Sequence, residues 1–158
     1  MKKLINITLL LFAGFLIASC GSGPEKAEGD SADAPTSMIE DEPAEVDPME
    51  SKGIGPISSL ELSDEIDTDL AAAGEEVFTA KCSACHKTDK KFVGPNPTGV
   101  LERRSPEWVM NMILNPEEMT QTDPIAKALL VEYNGAPMAN QNLTEDEARS
   151  VLEYFRTL

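Results

Sequence analysis

The sequence is poor in histidine, cysteine and basic residues. Its 158 residues include one histidine, three cysteines and thirteen lysines and arginines, against twenty-eight acidic residues. A structural zinc site usually takes four nitrogen or sulfur ligands in two paired sets, and with Cys20 assigned to lipid, as argued below, only two thiols and one histidine remain. A formal net charge of −15 also opposes binding to phosphate backbones, so we expect no nucleic acid among the partners.

Long apolar runs are scarce too, and the longest stands at the N-terminus, from Leu4 to Ser19, after two lysines. Its sixteen residues fall short of the roughly 20 that a membrane-spanning helix needs. They match a cleaved secretory signal, and the small residues before Cys20 look like a bacterial lipobox. We therefore expect residues 1–19 to be a lipoprotein signal peptide and Cys20 to carry the lipid. An ordinary signal peptide with an incidental cysteine is the alternative.

The stretch from residue 20 to residue 56 has few large apolar side chains and consists mainly of Glu, Asp, Ala, Pro, Ser and Gly. Such a composition cannot bury enough surface to offset the entropy of ordering. We predict that it is an acidic, flexible tether behind the lipidated cysteine. The mature protein is then expected to be exported and lipid-anchored to a bacterial membrane, facing the periplasm.

Cys82, Cys85 and His86 form the C-x-x-C-H pattern typical of covalent haem attachment. Thiols at this spacing can add to the two vinyl groups on one porphyrin edge, and the histidine can reach the iron as proximal ligand. A thioredoxin-like redox pair would follow a strand, whereas apolar residues at helical spacing precede this motif. A disulfide here would close a loop too small to stabilise the chain much. We therefore predict one covalent haem c.

The remaining signals predict an all-α domain over residues 57–158, with four to five short helices and long loops. Ser63 or Asp64 is expected to cap the first helix, and Asn115-Pro116 to end the second. Thr144 to Glu147 match a capping box before an apolar helical face. A domain this small has a marginal side-chain core, so we expect its loops to wrap around the haem.

Over about residues 66–158 the chain resembles a class I monohaem cytochrome c of the bacterial kind. The motifs stand in the family's order: Gly74, Phe78, the haem motif, Gly94-Pro95, Pro137-Met138 and Tyr154-Phe155. The resemblance implies the small cytochrome c fold, with its first and last helices in close contact at Gly74 against Tyr154 or Phe155. It also implies that the Pro95 carbonyl accepts a hydrogen bond from the proximal histidine and orients it.

His86 is the only histidine, so the second axial position is expected to hold a methionine or to stay open. The resemblance implies Met138, which follows a Gly-Ala-Pro turn. Met110 and Met112 lie in a predicted helix, where methionine more often fills the core, so Met119 is the main rival. Methionine–histidine ligation closes both axial positions.

Other residues are weaker candidates. Arg103, Arg104 and Trp108 are predicted to bind the haem propionates, to which a guanidinium group is well matched. Four lysines cluster around the motif and could steer an acidic redox partner: Lys81, Lys87, Lys90 and Lys91. Ordinary solvated surface positions are the alternative for both sets.

A closed iron transfers electrons and binds no substrate, so we expect an electron carrier that is not an enzyme and has no small-molecule substrate. The expected partners are redox proteins: a quinol-oxidising complex as donor, and a terminal oxidase or nitrous-oxide reductase as acceptor. The segment 106–116 is similar to cytochromes that accompany nitrous-oxide reductase. A peroxidase-type haem enzyme and a haem-based gas or redox sensor are the alternatives.

Overall fold

The computed structural model describes residues 46–158. Within these residues the chain forms five α-helices and no strand, which confirms the predicted all-α fold. The helices are α1 (Thr68–Lys81), α2 (Pro106–Leu114), α3 (Pro116–Thr122), α4 (Pro124–Glu132) and α5 (Glu145–Phe155), and a 3-10 turn spans Val100–Glu102. None of these helices is long and apolar enough to cross a membrane. The predicted signal peptide, the predicted lipidation site Cys20 and the predicted tether up to residue 45 lie outside the described residues.

Side-chain caps start most of the helices. Asp67 caps α1 by accepting hydrogen bonds from the amides of residues 69 and 70, so the helix begins after the predicted caps Ser63 and Asp64. The predicted capping box of α5 is confirmed. Asn115-Pro116 ends α2 as predicted, but Pro116 also opens α3. Proline is well suited to that first helical position because its missing N–H would have no partner there.

Helices α1 and α5 pack so closely that a side chain at Gly74 has no room. A Cβ atom on Gly74 would lie 1.9 Å from the Ser150 carbonyl oxygen. One turn further along α1, the Phe78 ring lies 5.5 Å from Tyr154 and 5.7 Å from Phe155 between centroids. The expected close contact is therefore confirmed, with both aromatic residues of α5 taking part.

Residues 51–57, which we call the strap, lie against α2 and α3. The buried Asn111 side chain accepts a hydrogen bond from the Ile57 amide at 2.9 Å and donates to the carbonyls of Lys52 and Ile57 at 2.9 and 2.8 Å. The Ser105 hydroxyl donates to the Ser51 carbonyl. Ordered packing thus starts before the predicted domain boundary at residue 57, because polar side chains of α2 satisfy backbone groups of the strap.

A buried carboxylate fastens the segment before α1 to α5. Glu153 is fully buried and accepts hydrogen bonds from the Asp67 amide and from the guanidinium groups of Arg149 and Arg156. Arg156 also donates to the Ser63 carbonyl at 2.6 Å. Burial alone would raise the pKa of Glu153, but these donors and positive charges outweigh it and lower that pKa.

Candidate functional site

The helices enclose a cavity of about 250 Å³ with a mostly apolar wall. Four residues singled out in the sequence line it together: Cys82, Cys85, His86 and Met138. Residues of α2, α4 and α5 complete the wall. The fold therefore gathers two thiols, an imidazole and a thioether from distant parts of the chain around one apolar space.

The two thiols reach the cavity because the chain turns tightly after α1. Cys82 ends the helix, and its carbonyl accepts hydrogen bonds from the amides of Cys85 and His86, both at 3.0 Å. Burial raises the pKa of the Cys82 thiol, although the nearby Lys81 charge acts in the opposite direction. The motif therefore presents both sulfur atoms and the imidazole from a single turn.

The orientation of His86 is set by the Gly94-Pro95 loop. His86 Nδ1 lies 2.8 Å from the Pro95 carbonyl oxygen. A carbonyl only accepts, so Nδ1 carries the proton and Nε2 keeps a free lone pair for a metal. The Gly94 backbone closes against the ring, since a Cβ there would lie 2.6 Å from His86 Cε1. The loop thus fixes both the tautomer and the position of the imidazole.

The methionines divide into those that line the cavity and those that do not. Met138, on the loop between α4 and α5, and Met112, on α2, both line it. Met119 does not, because its side chain is fully buried under the strap and its sulfur accepts a hydrogen bond from the Ile54 amide at 2.9 Å. Met110 lies in the core. The main rival to Met138 is therefore turned to another part of the domain.

The three residues predicted to bind propionates all line the cavity but differ in their partners. Trp108 donates its indole N–H, its only side-chain donor, to Asp123 at 3.1 Å. Arg103 donates to the carbonyls of Thr98 and Asn96 at 3.0 and 3.2 Å and braces that loop. Arg104 Nε is buried and is the only such side-chain atom in the described chain without a hydrogen-bond partner.

Most of the lysines around the haem motif have partners within the protein, which the sequence does not indicate. Lys91 forms an ion pair with Glu132 at 2.7 Å and lies 4.1 Å from the Tyr133 ring centroid. Lys87 donates to the Ser83 carbonyl and lies over the Phe92 ring. Lys81 lines the cavity, and Lys90 lies 4.0 Å from Asp89. Local partners offset part of the positive charge expected at this edge.

Asp123 is a buried carboxylate that no motif in the sequence marks as lying beside the site. It is 4 % exposed and accepts hydrogen bonds from both the Ala126 amide, at 2.8 Å, and the Trp108 indole. The Asp-Pro pair indicates a helix start, but no sequence signal brings residue 123 next to residue 108. Asn111 was missed for the same reason.

These features fit a covalently attached haem. The cavity is apolar, as a porphyrin plate requires, and its wall carries both thiols, a correctly protonated imidazole and a thioether. At the Trp108 end the buried Arg104 Nε lacks a partner. Since a buried unsatisfied donor is costly, this position suits a carboxylate such as a haem propionate.

Comparisons with known proteins agree with this geometry. A solved cytochrome c from Rhodothermus marinus is 43% identical, with a TM-score of 0.63, over 65% of this chain and 88% of that one. An engineered form of it, Rma TDE, is 42% identical with a TM-score of 0.63, over 65% of this chain and 89% of that one. The structure of that engineered form bound to a carbene intermediate is also 42% identical, with a TM-score of 0.60, over 65% of this chain and 88% of that one.

A comparison with curated proteins gave no significant match. The family model described as cytochrome c, however, matches residues 71–158, which is more than half of the chain. This match includes the haem motif and all five helices apart from the first turn of α1. The protein therefore belongs to the cytochrome c family, whose members carry covalently bound haem c and act as haem electron-transfer proteins.

Proposed function

We propose that this protein is a membrane-anchored monohaem cytochrome c of class I that carries single electrons between respiratory or denitrification partners outside the cytoplasm. The observation that carries the proposal is the pair of axial candidates on one cavity: His86, with Nε2 free, and Met138. When bound, haem supplies one-electron oxidation and reduction at its iron. The protein residues hold it, orient it and keep water away.

Each residue of the site has a definable part. Cys82 and Cys85 would form the thioether bonds, and His86 would bind the iron through Nε2 while Pro95 holds Nδ1. Met138 would occupy the opposite axial position. Arg104 would donate to a propionate through its unpartnered Nε. Apolar residues of α4 and α5, including Leu129 and Val151, line the same cavity and exclude water.

The oxidised spectrum of the Met138→Ala holoprotein tests the axial assignment. We expect loss of the methionine–iron charge-transfer band in the far red, because no other thioether would take this position. Met112→Leu, which keeps an apolar side chain on the cavity wall, and Met119→Leu, which does not line it, are matched controls and should retain the band. If Met138→Ala retains the charge-transfer band, or if Met112→Leu loses it, Met138 is not the iron ligand.

The same site separates an electron carrier from a haem enzyme. A peroxidase-type catalyst needs an exchangeable distal position and an acid or base beside it, whereas the methionine we place there would occupy that position. Carbon monoxide added to the reduced protein should therefore cause almost no rapid spectral change. A rapid and complete change would favour the enzyme or the gas sensor.

The anchor and the partners rest on the sequence and on the family. Cys20 after the apolar run supports lipidation, and tethering would keep the haem domain at high effective concentration near membrane-bound partners. Weak, fast docking through a small interface suits such a carrier. A quinol-oxidising complex is the proposed donor, and a terminal oxidase or nitrous-oxide reductase the acceptor.

The variant Cys20→Ser tests the lipid anchor. It should move the protein from the membrane to the periplasmic fraction, and an unchanged membrane fraction would refute lipidation.

A further inference from the structure

Asp123 joins two parts of the wall at the Trp108 end of the cavity. Its Oδ1 atom accepts the amide of Ala126, which caps α4, and the indole N–H of Trp108, which lies on α2. Asp123 itself is buried at 4 % exposure but does not line the cavity. It would therefore not touch a bound cofactor, but can act on one through its charge and through its neighbours.

The neighbours include the arginine whose Nε lacks a partner. The Arg104 guanidinium carbon lies 5.5 Å from the Trp108 ring centroid, and its Nη1 donates to the Arg103 carbonyl at 2.6 Å. Burial lowers the pKa of Arg104, the charge of Arg103 lowers it further, and the carboxylate of Asp123 opposes both. Asp123 and Arg104 thus lie on either side of Trp108, the carboxylate at its indole N–H and the guanidinium over its ring.

We propose that Asp123 is a positioning residue that fixes Trp108, and through it Arg104, at the end of the cavity where a haem propionate binds, and that its carboxylate charge lowers the reduction potential. The inference rests on the proposed electron-transfer function. An oxidised haem iron carries one more positive charge than a reduced one, so a buried carboxylate favours the oxidised form. The effect persists at this depth because solvent screens buried charges poorly.

The test is a spectroelectrochemical titration of the holoprotein with Asp123→Asn. Asparagine keeps an oxygen acceptor for Trp108 and Ala126 and is a good helix cap, so it removes mainly the charge. We expect a reversible couple with a midpoint potential shifted to more positive values. Glu153→Gln is the matched control, because Glu153 is also a buried carboxylate but its hydrogen-bond partners, unlike Trp108, do not line the cavity; it should shift the potential by less.

An Arg104→Met background tests whether the Asp123 charge itself acts on the haem. There the shift caused by Asp123→Asn should persist, because it does not depend on the arginine. A shift lost in that background, or an Asp123→Asn protein with the wild-type potential, would overturn the inference. Asp123→Ser, another uncharged cap, gives the same reading should the asparagine variant not fold. A wild-type protein without covalent haem would instead overturn the proposed function, so the two failures are distinguishable.

Discussion

Replacing Gly74 with alanine should destabilise the domain strongly. The new Cβ would lie 1.9 Å from the Ser150 carbonyl oxygen, whereas ordinary contact begins at 3.4 Å, so α1 and α5 must separate by the missing 1.5 Å. Overpacking of this kind costs about 1–3 kcal/mol or more. Separation also weakens the contacts of Phe78 with Tyr154 and Phe155, each worth about 1 kcal/mol.

The helix propensity of alanine works in the other direction and returns about 1 kcal/mol. The net expectation is a loss of about 3 kcal/mol of unfolding free energy. Guanidinium titration of the holoprotein, followed by circular dichroism, measures it as a lower midpoint. Ala72→Gly, on the exposed face of α1, is the control and should cost only about 1 kcal/mol. A Gly74→Ala loss smaller than that of Ala72→Gly would refute the close-contact argument.

Two further predictions concern the polar contacts that fasten the N-terminal segments. Asn111→Ala removes three hydrogen bonds to the strap. We therefore expect the unfolding free energy to fall by about 3 kcal/mol and amide exchange over residues 51–57 to become faster. The control Gln121→Ala on α3 should change neither quantity. The pKa of Glu153 in the folded state lies below its usual 4.5. The contribution of its carboxylate to folding stability is therefore fully present above pH 4.5 and is lost as the pH falls through the lower pKa of the folded state. Acid titrations should therefore show a flatter loss of stability in Glu153→Gln than in the wild type, and parallel curves would contradict this role.

The haem motif and the helix starts could be predicted because both are local. The spacing of Cys82, Cys85 and His86 is itself the chemical requirement for attachment. The capping box at Thr144 likewise depends on residues three positions apart, and the structure confirms it. The close approach at Gly74 came instead from the family resemblance, since no local rule says which helix a glycine faces.

Contacts between distant segments could not be predicted in this way. No local pattern predicts that the Trp108 indole donates to a carboxylate fifteen residues away. Residues 51–56 of the strap fall within the predicted flexible tether, because the stretch 20–56 has few large apolar side chains. The order of the strap comes from side chains of α2, chiefly Asn111, which satisfy its backbone and lie more than fifty positions away. The composition of a segment indicates how much apolar surface it can bury by itself, but not which hydrogen bonds the side chains of a distant helix make to its backbone.

The strap also decides how the domain would respond to mechanical load. Its first residue, Ser51, is held by the Ser105 hydroxyl at the start of α2, while the haem motif follows α1. In a protein anchored at its N-terminus, as proposed, a pull from the membrane would be resisted first by the hydrogen bonds of the strap. The turn that bears both thiols and the proximal imidazole would stay unloaded until those bonds had failed.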